Sequence, residues 1–432
     1  MHVSRRALVR AISGVSVLAV VGLAAAVWFV YEPEIAPIAR PDKASFDEAV
    51  VKRGEQLATV GDCIVCHTAD GGKPFAGSRP LPTPFGTLYS GNITPDEATG
   101  IGHWSETAFD RAMKQGVARD GSNLYPALPY EHFTHVTDDD LHAVYAFLMT
   151  REAVSLTAPA NKLIPGLGFR PLLAGWKLLF LHETSVQPDP SQNAEWNRGK
   201  YLVEGLAHCG GCHTPRNVAG GEELGSEFEG GVAEGWVAPA LTARNPSAST
   251  WTQASLFNYL KTGSDENHSA AAGPMAAVTE GLSRLNDPDV KAISVYIAYK
   301  MHEGEPSVIS DPSTIDNATQ AANENSVGAH LFQGACAGCH GIGAPMADQA
   351  RASLSTVTDL KLNDPTNAAM AILQGVSAPS GKGPYMPPFA GNLTDKEIVE
   401  LLAYVRSRFT ASPAWTKLES SVTSARREAQ AQ

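Results

Sequence analysis

All six cysteines of this 432-residue chain fall into one pattern that is used three times: Cys63-Ile64-Val65-Cys66-His67, Cys209-Gly210-Gly211-Cys212-His213 and Cys336-Ala337-Gly338-Cys339-His340. Two thiols about one helical turn apart can each form a thioether to one vinyl group of the same porphyrin, and the adjoining histidine then offers its imidazole to the iron. Cys-x-x-Cys-His is the attachment pattern of c-type haem. The competing chemistries need more than is present. A zinc site takes four ligands, whereas each cluster here holds one cysteine pair, far from the next. A thioredoxin-like pair does not call for histidine beside it three times, and a disulfide between cysteines three apart closes a strained loop. The spacing predicts three covalently bound haem c groups, with His67, His213 and His340 as iron ligands.

The second axial position calls for a further donor, and a thioether there raises the potential. Met275 lies twelve residues after Gly263 and Met386 eleven after Gly375, both in tight proline-containing loops, Gly273-Pro274-Met275 and Pro384-Tyr385-Met386-Pro387-Pro388. These two methionines are the expected distal ligands. In the first segment the same count from Gly116 reaches Leu128, which has no donor atom. His132, four residues on, is the expected substitute, with His135, His103 and Met113 as competitors and an open first haem as the remaining alternative.

Three copies of one unit must position these residues. Each starts with a short glycine-containing helix before the cysteines: Arg53-Gly54-Glu55-Gln56-Leu57, Arg198-Gly199-Lys200-Tyr201-Leu202 and Val327-Gly328-Ala329-His330-Leu331. An amphipathic stretch ending in Gly116, Gly263 or Gly375 follows. A closing helix then opens on an acid and carries an aliphatic and an aromatic residue on one face: Asp140, Leu141 and Phe147; Asp289, Val290 and Tyr296; Glu397, Ile398 and Tyr404. This resembles the small all-helical cytochrome c fold, in which first and last helices cross. The units span 45–155, 191–303 and 324–409. Between the first two lies an amphipathic linker, 156–190, suited to lying on a membrane, a partner subunit or a neighbouring domain. A polar linker, 304–323, reads as extended, and the tail, 410–432, carries no clear signal.

A basic segment, 1–10, with Arg5, Arg6 and Arg10, precedes an uncharged run, 11–30. Twenty residues at ~1.5 Å rise would span about 30 Å, the thickness of a bilayer's hydrocarbon core. Trp28, Phe29 and Tyr31 stand where an interfacial aromatic belt would lie. The expectation is a single-pass anchor in the cytoplasmic (inner) membrane with the haem domains on the periplasmic side; a cleaved signal peptide is the alternative. The expected fold class is therefore all-α, three tandem class I cytochrome c-like domains after an N-terminal transmembrane helix. A net charge of −12 argues against nucleic acid as a partner.

Longer stretches carry a closer resemblance: Leu81-Pro82-Thr83-Pro84-Phe85-Gly86-Thr87, Gly91-Asn92-Ile93-Thr94-Pro95, Gly100-Ile101-Gly102-His103-Trp104-Ser105, Arg170-Pro171-Leu172-Leu173-Ala174-Gly175-Trp176 and Cys212-His213-Thr214-Pro215-Arg216-Asn217. With these the chain resembles the membrane-bound triheme cytochrome c subunits of bacterial periplasmic dehydrogenases. The resemblance implies a relay from a substrate-oxidising partner to ubiquinone or a terminal oxidase. Glu131-His132-Phe133 and Pro33-Glu34-Ile35-Ala36-Pro37 are more similar to the partners of molybdenum hydroxylases, which bring an iron–sulfur subunit and act on aldehydes or nicotinate. Leu128 departs from the alcohol-dehydrogenase type, which has methionine there, and cytochromes of flavin- or PQQ-dependent dehydrogenases are the sister reading. No dinucleotide fingerprint or phosphate loop is present, so substrate chemistry belongs to another subunit. The rival class is a peroxidase-like haem enzyme using an open first haem, with His132 or Glu131 as the distal acid–base group.

Overall fold

The computed structural model describes residues 30–303, 315–341, 343, 344, 346, 353–377 and 385–431. Three helical units follow one another. In each, a leading helix crosses a closing helix: Glu48–Val60 with Asp138–Met149, Ala194–Glu204 with Asp287–Met301, and Ser326–Ala335 with Asp395–Phe409. Side-chain caps start five of the six, and Pro288 stands in the first turn of the other, Asp287–Met301. Asp47 accepts from the amides of Ala49 and Val50, Asn193 from that of Trp196, Asn325 from that of Gly328 and Thr137 from that of Asp140. Thr394 and Glu397 form a reciprocal capping box.

Glycine sets the depth of each crossing. A β-carbon on Gly54 would lie 1.8 Å from the carbonyl oxygen of Ala143, one on Gly199 2.0 Å from that of Ala292, and one on Gly328 2.4 Å from that of Glu400. At each crossing the next closest side chain is the closing-helix aromatic, whose β-carbon would be 2.8 Å (Phe147), 2.9 Å (Tyr296) or 2.6 Å (Tyr404) from the added atom. Backbone therefore meets backbone, and an aromatic ring closes the gap.

The first two units share one continuous hydrophobic core, which runs from Leu57, Leu141 and Phe147 to Leu202, Ile293 and Tyr296. The third has its own, built on Phe332, Met370, Ile398 and Tyr404, and it receives Trp236 from the second unit. Small antiparallel pairings lie in the loops: Pro80–Thr83 with Gly86–Tyr89, extended by Lys162–Leu163; Gly231–Ala233 with Trp236–Ala238; and Ser264–Asp265 with Ser269–Ala270.

The expected fold class is corrected at its N-terminal end. No helix among the described residues is long and apolar enough to cross a membrane, and all but Val30 of the segment read as an anchor, 11–30, lies outside the described residues. The structure does not support a transmembrane helix ahead of the haem units, nor the single-pass inner-membrane placement that followed from it.

The segment 156–190 forms the helix Leu172–Phe180, which packs on both neighbours: Trp176 donates to the carbonyl of Ala219 at 2.9 Å, Lys177 donates to that of Gln115 at 3.0 Å, and the Phe180 ring covers Gly221. Of 304–323, residues 304–314 lie outside the described residues; beyond them comes not an extended segment but the helix Ala318–Glu324, tied down by the Asp316–Arg408 pair at 2.7 Å. The tail forms the helix Leu418–Ala431, with Val422 and Ala425 buried on the third core.

The crossings make a direct prediction. Gly54→Ala should destabilise the first unit by about 1–3 kcal/mol, the usual cost of overpacking, whereas Gly334→Ala, in a helix with nothing near its added β-carbon, should be neutral or stabilise by up to ~1 kcal/mol. Thermal melts of the two variants check the contrast.

Candidate haem-attachment sites

Each Cys-x-x-Cys-His segment forms one helical turn just after its leading helix, and the histidine amide closes it onto the first cysteine. His67 donates to the carbonyl of Cys63 at 3.0 Å, His213 to that of Cys209 at 3.0 Å and His340 to that of Cys336 at 2.8 Å. The chain enters the first two turns through left-handed residues, Asp62 (φ 53°) and His208 (φ 38°). All six cysteines are free. Desolvation pushes the Cys63 and Cys209 thiols up to about 12, and the Cys66 and Cys336 thiols to about 11. Burial at these four positions therefore favours the neutral thiol over the thiolate.

Backbone carbonyls hold two of the three histidines in a single tautomer. His67 donates through Nδ1 to the carbonyl of Gly91 at 2.7 Å, and His213 through Nδ1 to that of Pro239 at 2.6 Å. A hydrogen on Nδ1 leaves the lone pair on Nε2, the atom that must face the iron. Desolvation holds both imidazoles, and that of His340, below the ordinary histidine range and so neutral. The Nδ1 of His340 is buried without a partner among the described residues. Thiol pair, helical turn and neutral imidazole together fit a covalently attached haem.

The glycines used as the register have a physical basis. Gly116, Gly263 and Gly375 all take positive φ, 61°, 76° and 76°, and end the middle helices at Gln115, Thr262 and Gln374. After Gly375, Val376 and Met386 exchange backbone hydrogen bonds of 2.9 and 2.8 Å, which pin Met386 against the third core. Met275 stands in the first turn of the helix Pro274–Ser283, against the core of the first two units. Leu128 packs against that same core and brings no donor atom.

His132, the expected substitute ligand of the first unit, is engaged elsewhere. Its ring, 8% exposed, faces the second unit: Nδ1 donates to the carbonyl of Glu204 at 3.0 Å and Nε2 to the carboxylate of Glu222 at 2.8 Å. Burial alone would lower its pKa, but the Glu222 hydrogen bond and the charges of Glu222 and Glu131 outweigh this and raise it, while Glu222 is held below the ordinary carboxylate range. An imidazole donating from both nitrogens has no lone pair for iron. His103 and His135 donate to the carbonyls of Ile38 and Thr184, and Met113 is buried in the core.

What His132 builds is a seat for the first unit on the second. Its Cε1 would lie 2.7 Å from a β-carbon on Gly210, inside the second attachment turn. Arg216 donates to the carbonyl of Gly211 at 3.2 Å and pairs with Glu222 at 3.3 Å and Glu131 at 3.7 Å. Asp140, 2% exposed, pairs with Arg53 of its own unit and accepts from the Tyr201 hydroxyl of the next at 2.7 Å. Sequence reading missed the roles of Gly91, Pro239, Arg79, Arg216 and Glu222. For Gly91 and Arg216 the signal was the family-like run around each, which reveals no partner.

Comparison with known proteins agrees with this chemistry. Residues 51–152 match the family "Cytochrome c", and residues 323–405 match "Cytochrome C oxidase, cbb3-type, subunit III". The chain is 45% identical to a nicotinate dehydrogenase subunit of Pseudomonas putida over 90% of its own length, but spans only 33% of that protein. It is 35% identical to the gluconate 2-dehydrogenase cytochrome c subunit of Pantoea cypripedii, covering 88% of this chain and 90% of that one. With the fructose dehydrogenase cytochrome subunit of Gluconobacter japonicus it shares 34% identity, over 85% of this chain and 81% of the relative. Its domains are c-type cytochrome domains. The chain belongs to the family of electron-transferring cytochrome c subunits of dehydrogenase complexes.

His132→Ala should leave the haem absorption spectrum unchanged and destabilise the first two units by ~1–3 kcal/mol, because it removes one of the two partners of the half-buried Glu222 carboxylate and the donor to the Glu204 carbonyl. A shift of one haem to high spin in this variant would instead put the imidazole on iron.

Proposed function

We propose that the chain carries three haem c groups, on Cys63, Cys66 and His67, on Cys209, Cys212 and His213, and on Cys336, Cys339 and His340, and relays electrons from a catalytic dehydrogenase subunit to ubiquinone or a terminal oxidase. The observation that carries this reading is the threefold recurrence of one frame: a glycine crossing, a one-turn attachment segment and a left-handed glycine that sets the distal loop. The middle unit, matched by neither family description, has every part of that frame. Bound haem supplies the one-electron chemistry. The chain's residues do the rest: the carbonyls of Gly91 and Pro239 fix the imidazole tautomers of His67 and His213, and Met275 and Met386 offer soft thioethers that favour the ferrous state.

The first site differs. With Leu128 in the distal register and His132 engaged elsewhere, it lacks the thioether of the other two. Its ferrous haem should bind carbon monoxide while the other two do not. Leu128→Met should abolish that binding and raise the midpoint potential of this haem alone, measured by spectroelectrochemical titration. Carbon monoxide binding that is absent from the parent protein would mean that another side chain fills the position.

The proposed electron donor is a molybdenum hydroxylase with an iron–sulfur subunit, acting on an aldehyde or N-heterocycle. The 45% identity to the nicotinate dehydrogenase subunit, ahead of 35% and 34% for the gluconate and fructose dehydrogenase cytochromes, supports this choice. Affinity purification of the native complex should recover molybdopterin and iron–sulfur subunits in stoichiometric amount. Recovery of a flavoprotein or quinoprotein instead would reassign the donor.

A further inference from the structure

One hairpin of the second unit touches the second attachment turn, is linked through Arg79 to the first, and packs on the third unit. Its strands are Gly231–Ala233 and Trp236–Ala238. Toward the second site, Gly230 donates to the carbonyl of His213 at 2.7 Å, and Gly231 lies so close to Cys212 that a β-carbon would be 2.3 Å from its carbonyl oxygen. Pro239, next after the hairpin, accepts from His213 Nδ1. Toward the first site, the turn residue Glu234 receives Arg79 Nη2 at 3.1 and 3.3 Å, and the same guanidinium donates through Nη1 to the carbonyl of Val65, between Cys63 and Cys66, at 3.0 Å. Toward the third unit, Val237 exchanges two hydrogen bonds of 2.8 Å with the side-chain amide of Asn367, on the helix Thr366–Gln374. Trp236, 6% exposed, enters the core on which Cys336 and Met386 also pack. Its indole also lies against Gly273, two residues before Met275, where a β-carbon would be 2.5 Å from Cε2.

We propose that the Gly231–Ala238 hairpin is a positioning element that helps to hold the first attachment segment and the third unit at fixed separations from the second attachment segment, which makes the second site the middle of the relay. The inference rests on the three-haem reading above. Transfer between fixed centres falls steeply with separation, so a rigid spacer governs the rate. One electron moves per step, oxidising the donor iron from ferrous to ferric as the acceptor iron is reduced, and no proton or co-reactant is consumed. The two anchors are chemically independent, a charged pair on one side and an amide clamp on the other, so they can be loosened separately.

The test uses the full-length holoprotein with Arg79→Leu and Asn367→Leu, and Glu234→Gln and Asn367→Ser as milder versions should either fail to fold. Electron redistribution after rapid partial reduction is followed alongside the midpoint potentials and amide hydrogen exchange at Val237. Arg79→Leu or Glu234→Gln should slow exchange between the first and second haems by about tenfold or more and leave the second-to-third step unchanged. Asn367→Leu or Asn367→Ser should do the reverse and deprotect the Val237 amide, with potentials unmoved in the two Asn367 variants. Parental rates in these variants, equal slowing of both steps, or a Val237 amide unchanged in the Asn367 variants would overturn the proposal. A protein carrying fewer than three haems would instead strike the relay reading, and the Val237 exchange would still report whether the clamp exists.

Discussion

Each unit depends on one contact, the bare backbone of a glycine in the leading helix against a carbonyl of the closing helix. Helices of ten to fifteen residues are marginal alone, so their stability comes from this crossing and from the aromatic ring beside it. The attachment turn begins where the leading helix ends. The depth of the crossing therefore places the cysteines and histidine relative to the closing helix, and the loops that carry Gly91 and Pro239 finish the job by orienting the imidazoles. A methyl group at Gly54, Gly199 or Gly328 would push the helices apart at the point from which everything else is measured.

The units are joined in two different ways. The first and second are fused through a common core and a buried polar seam. Arg53–Asp140 and Arg198–Asp289 are the same helix-pair contact in the two copies, and Asp140 reaches further, to Tyr201 of its neighbour. The seam of His132, Glu222, Arg216 and Glu131 then lays the first unit on the second attachment turn. Partly buried charge pairs of this kind do little for net stability but fix register. The third unit keeps its own core and docks through one tryptophan and one amide clamp.

Local chemistry was legible in the sequence, and distant partnerships were not. The attachment motifs, the leading-helix glycines and the closing-helix aromatics are local patterns with fixed spacing, and the structure brings them together as three copies of one crossing. His132 looked like a ligand because it stood four residues from the expected position. Its actual partners lie 72 and 90 positions away, beyond what spacing can show. The tail carried no clear signal in the sequence, because the surface that Leu418, Val422, Ala425 and Ala429 cover belongs to other helices. Glu234 and Trp236 carried no pattern at all; their importance comes from where a short hairpin happens to sit.

The central claim is that three equivalent frames each bind one haem covalently. The intact mass of the mature protein, compared with three variants in which both cysteines of a single motif are replaced by alanine, measures this most directly. The account predicts three haem increments on the parent chain and two on each variant, including Cys209→Ala with Cys212→Ala in the middle unit. A parent chain with two increments or fewer, or a paired substitution that loses none, would contradict it.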